Sequence, residues 1–246
     1  MKTKSLVVIL HYNTTEYTDT IYELLKPYEK DDYDLLVFDN ASDEGRSSKY
    51  TTHRLESNCY FGGGYDTVMQ YMIDHPEYDS MMMMSSDIIC HGRSFIKTLR
   101  NELFSQENLM VVSPCITQPE VSQCYWPPNH CWGAKELRIV PWVDFQCPLL
   151  KRELVEKIGA YGIQFGWGND VYTGVICEEN NWKIGVCDYV TAIHLGNATV
   201  KAHSDKPILS QYNQLAEREM VEYFTNKGIL NDLIRMRELA LNYKYV

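Results

Sequence analysis

The sequence predicts an α/β fold: a mostly parallel central sheet flanked by helices, followed by a C-terminal helical hairpin. Short apolar runs alternate with stretches of helical period through the first half of the chain, as in a doubly wound sheet. Within that half, Met81-Met82-Met83-Met84 is continuously apolar and reads as a strand buried on both faces. After Pro207 the apolar residues step by three or four, which is a helical spacing.

Each element has its own signal. Residues 6–11 give a first buried strand, and Thr14 or Thr15 caps a helix reaching about Lys26. Residues 35–38 form a second strand that stops at Asp39-Asn40-Ala41-Ser42. A short segment around Arg54-Leu55 leads to Gly62-Gly63-Gly64 and a helix through Val68, Met69, Met72 and Ile73. Residues 78–84 are the methionine strand, 91–104 a helix and 109–113 a strand. Residues 114–142 carry Pro114, Pro119, Pro127, Pro128 and Pro141 among tryptophans, which predicts long loops. Strand resumes over 143–150, and a helix over 151–158 ends at Gly159. Another helix starts near Asp170, and residues 184–187 and 190–194 are the last strands. Leu209, Tyr212, Ala216, Met220 and Tyr223 mark one C-terminal helix face, broken at Gly228; Ile229, Leu233, Ile234, Arg237 and Leu241 mark the next.

A chain of 246 residues can bury a full core with a small appendage. The expected division is residues 1–204 and a helical extension, 205–246, packed on them. With 23 basic and 33 acidic side chains the net charge is −10, which argues against nucleic acid as a partner. A phosphate-bearing ligand would need a metal or backbone amides to offset its charge. The apolar stretch after Lys4 is too short for a signal sequence, and none is long enough to span a bilayer. A cytoplasmic location is the default, with peripheral contact at the inner face of the plasma membrane, or homodimerisation, assigned to the C-terminal helices. The eight cysteines form no CxxC pair; buried free thiols are expected rather than a disulfide framework, and Cys124, His130 and Cys131 match no common zinc spacing.

Chemistry in open α/β sheets gathers at the carboxyl ends of the strands. Four such stations stand out: His11-Tyr12-Asn13, Asp39-Asn40-Ala41-Ser42, Ser85-Ser86-Asp87, and Asp170 with the later His194. Each has a plain structural reading. Asn13 and Ser42 are ordinary turn formers, Asp87 can cap the next helix, and His194 can be a satisfied core histidine.

Taken in order, the stations resemble family 2 glycosyltransferases of the GT-A fold, particularly their rhamnosyltransferase-like branch. The similar segments are Val7-Val8-Ile9-Leu10-His11-Tyr12-Asn13, Val37-Phe38-Asp39-Asn40-Ala41-Ser42-Asp43, and Asn58-Cys59-Tyr60-Phe61-Gly62-Gly63-Gly64-Tyr65-Asp66. The methionine strand with Asp87, then Trp167-Gly168-Asn169-Asp170-Val171, and Ala192-Ile193-His194-Leu195-Gly196 complete a match spanning residues 5–196.

The resemblance implies a GT-A catalytic domain over residues 1–204 and an inverting transfer from a nucleotide-diphosphate sugar to a saccharide or lipid-linked saccharide, in bacterial surface polysaccharide or glycoconjugate synthesis. Asp87 and His194 would hold Mn²⁺ or Mg²⁺, with the imidazole favouring Mn²⁺. The donor would meet Tyr12, Asn13, Asp39, Gly62, Gly63, Gly64, Asp66, Ser85 and Ser86. Asp170 would be the catalytic base, and Trp167 and Asn169 would bind the acceptor. This chain departs from the family at two places. Its Asp-x-Asp is Ser85-Ser86-Asp87, and the Glu before the catalytic Asp is Asn169. A degenerate nucleotide-sugar-binding subunit and a sugar-1-phosphate nucleotidyltransferase are the alternatives. The second lacks its Gly-rich basic loop after the first strand.

Overall fold

The computed structural model describes residues 3–29, 32–90, 94–119, 124–196 and 211–245. Among these, nine strands form one mixed sheet: β1 (Lys4–His11), β2 (Tyr33–Asp39), β3 (His53–Arg54), β4 (Tyr78–Ser85), β5 (Ile88–Cys90), β6 (Leu109–Thr117), β7 (Arg138–Val140), β8 (Leu149–Lys151) and β9 (Lys183–His194). Their order is β3-β2-β1-β4-β8-β6-β9-β5, with β7 also on β9. The long pairings, β1 with β2 and β4 and β6 with β9, are parallel. Short β5, β7 and β8 add antiparallel contacts. The helices are α1 (Thr15–Leu25), α2 (Tyr60–Asp74), α3 (Phe95–Leu103), α4 (Arg152–Ile158), α5 (Asn169–Glu179), α6 (Tyr212–Asn226) and α7 (Leu230–Leu241).

The methionine strand does what its composition predicts. Met81 and Met83 pack with Leu6, Val8 and Leu10 on one face of the sheet, while Met82 and Met84 pack with Val7 and Ile9 on the other. All four are 0 % exposed, because side chains of period two must find cover on both faces.

The middle of the chain differs from expectation. β6 runs on through Pro114, which lies at a register shift against β9, where a missing N–H is tolerated. The strand expected over 143–150 is only Leu149–Lys151; what precedes it is loop. The two last strands are one, β9, interrupted by that same register shift. β5 and β7 carried too few residues to show periodicity. The expected start of α3 at residue 91 lies outside the described residues, as do Pro207, Leu209 and the boundary at 204/205. Thr14 precedes α1 but makes no side-chain cap; its hydroxyl lies 2.6 Å from that of Ser86 instead.

Cys115 and Cys131 form a disulfide, one pairing among cysteines that are otherwise the free thiols expected. It ties β6 to the loop that precedes β7. The other six cysteines are free, and all but Cys59 are buried.

Gly62 shows how tightly α2 is set. A Cβ there would lie 1.8 Å from the carbonyl oxygen of Ile163 and 2.7 Å from the nitrogen of Gly166. Both are backbone atoms and cannot rotate away. Gly62→Ala is expected to destabilise the fold by ~3 kcal/mol or more, read as a lower midpoint in chemical denaturation.

α6 and α7 pack onto the sheet domain through Ala216, Met220 and Phe224 and through Leu233, Met236 and Ala240. The indole N–H of Trp142 donates to the Met236 carbonyl at 2.9 Å. The buried face of α7 is rotated from the expected one: Ile234 and Leu241 are half exposed. No described helix is long and apolar enough to cross a membrane.

Candidate active site

A cleft of about 580 Å³ opens at the carboxyl ends of β1 and β4. Tyr12 follows β1, and Ser85, Ser86 and Asp87 close β4, so these four line it because their strands end there. β5 then turns back antiparallel to β9, with Ile88 opposite His194. That register brings the His194 Nε2 to 3.3 Å from an Asp87 carboxylate oxygen, both side chains being about nine-tenths buried. A histidine 107 positions later in the sequence is thus beside the end of the methionine strand because two strands exchange hydrogen bonds.

Asp170 lines the same cleft from the first turn of α5. Asp144, in the loop before β8, lines the same cleft. Burial raises both carboxyls above the ordinary value, and burial together with repulsion from Asp144 brings Asp170 to about 7. The Gln146 amide donates to Asp144 at 3.2 Å. Aromatic side chains cover much of the remaining wall: Tyr60, Phe61, Tyr125, Trp126, Phe145 and Trp167. Trp167 is 37 % exposed, so its ring is presented at the cleft rather than spent on core filling.

Several residues expected at the site serve the backbone around it instead. Asp39 is fully buried and outside the cleft; it accepts from the Ser42 N–H, the Ser47 hydroxyl and Arg54. Burial pushes its carboxyl up, but those hydrogen bonds and His11 together hold it below the usual carboxylate range. Asn13 braces the same corner, donating to the Asp43 carboxylate at 3.0 Å and accepting from the Asp43 N–H at 2.7 Å. Gly62, Gly63 and Gly64 lie within α2, where they allow close packing on Ile163, Cys59 and Leu10, and they do not line the cleft. Asp66 accepts from the N–H groups of Tyr161 and Gly162 at 2.7 and 2.9 Å, holding the loop that leads to Trp167. Asn169 is 0 % exposed and does not line the cleft, its amide without a hydrogen-bond partner among the described residues. His11 is a satisfied core histidine: Nε2 faces the Arg46 carbonyl at 2.9 Å, so it donates, and Nδ1 accepts from Thr18. Burial lowers its pKa.

Backbone strain concentrates here. Asn13, Ala41 and Tyr60 have φ of 57°, 59° and 58°, and they lie at the ends of β1 and β2 and the start of α2. Non-glycine residues hold such angles only where surroundings impose them. The Asn40 amide supplies part of that constraint, donating to the Tyr60 carbonyl and accepting from the Cys59 N–H.

Two charged cleft residues escaped the sequence reading. Asp144 sits in an irregular loop where no period marks it, and Arg237 was read as one more position on a helix face. α6 and α7 in fact complete a wall, through Tyr212, Met220 and Arg237. Glu219 on α6 accepts from the N–H groups of Gln164 and Phe165, both at 2.8 Å, fixing the Trp167 loop.

No protein-family model matches the chain, and no curated protein matches it in sequence. Solved structures do match in three dimensions. A mannosyltransferase, PcManGT from Pyrobaculum calidifontis in complex with GDP-Man and Mn²⁺, superposes with a TM-score of 0.58 at 13% identity, covering 100% of this chain and 77% of that one. GalNAc-T7 with UDP, GalNAc and Mn²⁺ gives 0.56 at 12% identity, covering 96% of this chain and 54% of that one. The chain thus spans about half the length of GalNAc-T7. A197 from STIV gives 0.51 at 14% identity, over 78% of this chain and 85% of that one. The chain has the GT-A-type fold of nucleotide-diphospho-sugar transferases.

Proposed function

We propose that this chain is an inverting, metal-dependent glycosyltransferase that moves a sugar from a nucleotide-diphosphate donor to a hydroxyl of a saccharide acceptor. The observation that carries this reading is the meeting of Asp87, His194 and Asp170 in one cleft at the strand ends. The family 2, rhamnosyltransferase-like assignment and a role in bacterial surface polysaccharide or glycoconjugate synthesis rest on the sequence motifs.

Asp87 and His194 fit a divalent ion. One carboxylate oxygen and one imidazole nitrogen converge, a donor set that suits Mn²⁺. No group of three or more His, Cys, Asp or Glu that could hold a metal ion occurs among the described residues. When bound, such an ion supplies Lewis-acid stabilisation of the leaving diphosphate. Tyr12 offers a ring for the nucleotide base, and Ser85 and Ser86 line the cleft beside it. Asp170 accepts the proton of the attacking hydroxyl at a carboxylate oxygen, and a pKa near 7 suits that task. Trp167 lays an apolar face against the acceptor ring. The manganese and nucleotide ligands of PcManGT and GalNAc-T7 support this reading.

A thermal-shift panel of nucleotide sugars with and without Mn²⁺ tests it. At a hundredfold excess over Kd the true donor adds about 2.7 kcal/mol, a rise of several degrees, only when the ion is present. Asp87→Ala is expected to remove that rise. If no nucleotide sugar shifts the wild type, or if Asp87→Ala responds like it, the reading fails. Donor hydrolysis that requires Mn²⁺ separates an enzyme from a nucleotide-sugar-binding subunit.

A further inference from the structure

Among the described residues that line the cleft, Arg237 alone carries a permanent positive charge. Its guanidinium lies 5.8 Å from the centre of the Trp126 ring, and one nitrogen donates to Glu217 of α6 at 3.0 Å. Two-thirds of the side chain is buried. Nothing in the proposed transfer employs it, and the cleft otherwise holds the carboxylates of Asp87, Asp144 and Asp170.

We propose that the acceptor saccharide carries an oxyanion, a carboxylate or a phosphate ester, and that Arg237 receives it; this rests on the transferase reading above. Position is the first argument. Tyr12, Ser85, Ser86 and Asp87 come from the ends of β1 and β4, whereas Arg237 comes from α7, which packs on α5, the helix that opens with Asp170. The cation therefore belongs to the acceptor side.

Cost is the second argument. A largely buried guanidinium loses hydration, and a single hydrogen bond to a half-exposed carboxylate restores only part of it. A neutral sugar would be served by the aromatic walls and uncharged donors. The guanidinium instead keeps its Nε and second terminal nitrogen without hydrogen bonds among the described residues, and that fork matches an oxyanion bidentately. Trp126 and Glu217 hold it in one orientation, so little ordering remains when the ligand arrives. Arg237 also draws down the proton affinity of Asp170, so an anion bound to it would make Asp170 a stronger base when the acceptor is in place.

Calorimetry on the full chain tests this with p-nitrophenyl β-glucuronide and glucose 1-phosphate against p-nitrophenyl β-glucoside. A chelator is present so that phosphate cannot report a metal site. One of the two anionic probes is expected to bind the wild type at least about tenfold tighter than the glucoside. Whichever wins identifies the carboxylate or the phosphate as the source. R237Q should bring that difference to within about twofold with an unchanged thermal midpoint, and R237K should keep part of it. No preference in the wild type, including no binding of either class, overturns the proposal, as does a preference that survives in R237Q. Metal-dependent donor binding without an oxyanion preference refutes this inference alone. An Arg237-dependent oxyanion site on a chain that binds no nucleotide sugar refutes the transferase reading instead.

Discussion

Asp170→Asn is expected to lower turnover by a factor of roughly 10²–10⁴ while metal-dependent donor binding persists. The amide keeps the size of the side chain and the start of α5 but cannot take a proton. Wild-type kcat/KM should fall as pH drops through about 7, because the carboxylate is then protonated and no longer a base. Stability should move the other way. The folded-state value lies above that of the unfolded chain, so the protein holds the extra proton best at low pH. Stability is lost as pH rises between about 4 and about 7, by up to about 1.4 kcal/mol for each pH unit. The Asn variant, with nothing to ionise, should therefore have the higher thermal midpoint above neutrality. Wild-type turnover in this variant, or a pH profile without an acid limb, would show that Asp170 is not the base.

Asp188→Ala is expected to cost ~3–5 kcal/mol, measured by chemical denaturation. Asp188 and Arg138 are 0 % and 1 % exposed in their side chains, and one Asp188 oxygen accepts from Arg138 at 2.6 and 2.9 Å. The other oxygen accepts from the N–H groups of Trp132 and Ala134. Arg138 in turn donates to the carbonyls of Pro128 and His130. Removing the carboxylate leaves a guanidinium buried without its counter-charge and frees the loop that bears Trp126. A loss below about 1 kcal/mol would mean that the loop stands without this knot.

What the chain declared in advance follows from which interactions are local. The methionine strand and its acidic end were legible because burial on two faces demands an unbroken apolar run. Gly159 ending α4, at φ 70°, and Gly228 between α6 and α7, at φ 72°, were legible for a similarly local reason. The pairing of Asp87 with His194 was suggested by motif order, and its physical cause, the β5–β9 register, involves a strand too short to read. Asp39, Asn13 and Asp66 were placed at the donor by the family resemblance. They suit buried turns equally well, and here backbone N–H groups and neighbouring side chains claim them. The glycines were assigned to close approach by a ligand, and the close approach is by the chain's own loop at Ile163 and Gly166. Asp144 and Arg237 had no signal because their importance comes from neighbours remote in sequence.

The distribution of methionine gives the protein a built-in chemical clock. Met69, Met72, the four methionines of β4, Met110 and Met236 are all at most 2 % exposed and do not line the cleft, so their thioethers meet peroxide only when the structure opens. Met236 lies on α7, the rest in the sheet layer and α2. Sulfoxide formation, followed peptide by peptide in a mass spectrometer, therefore separates lifting of α7 from opening of the sheet. Oxygen would enter at Met236 first wherever the last helix lets go before the core.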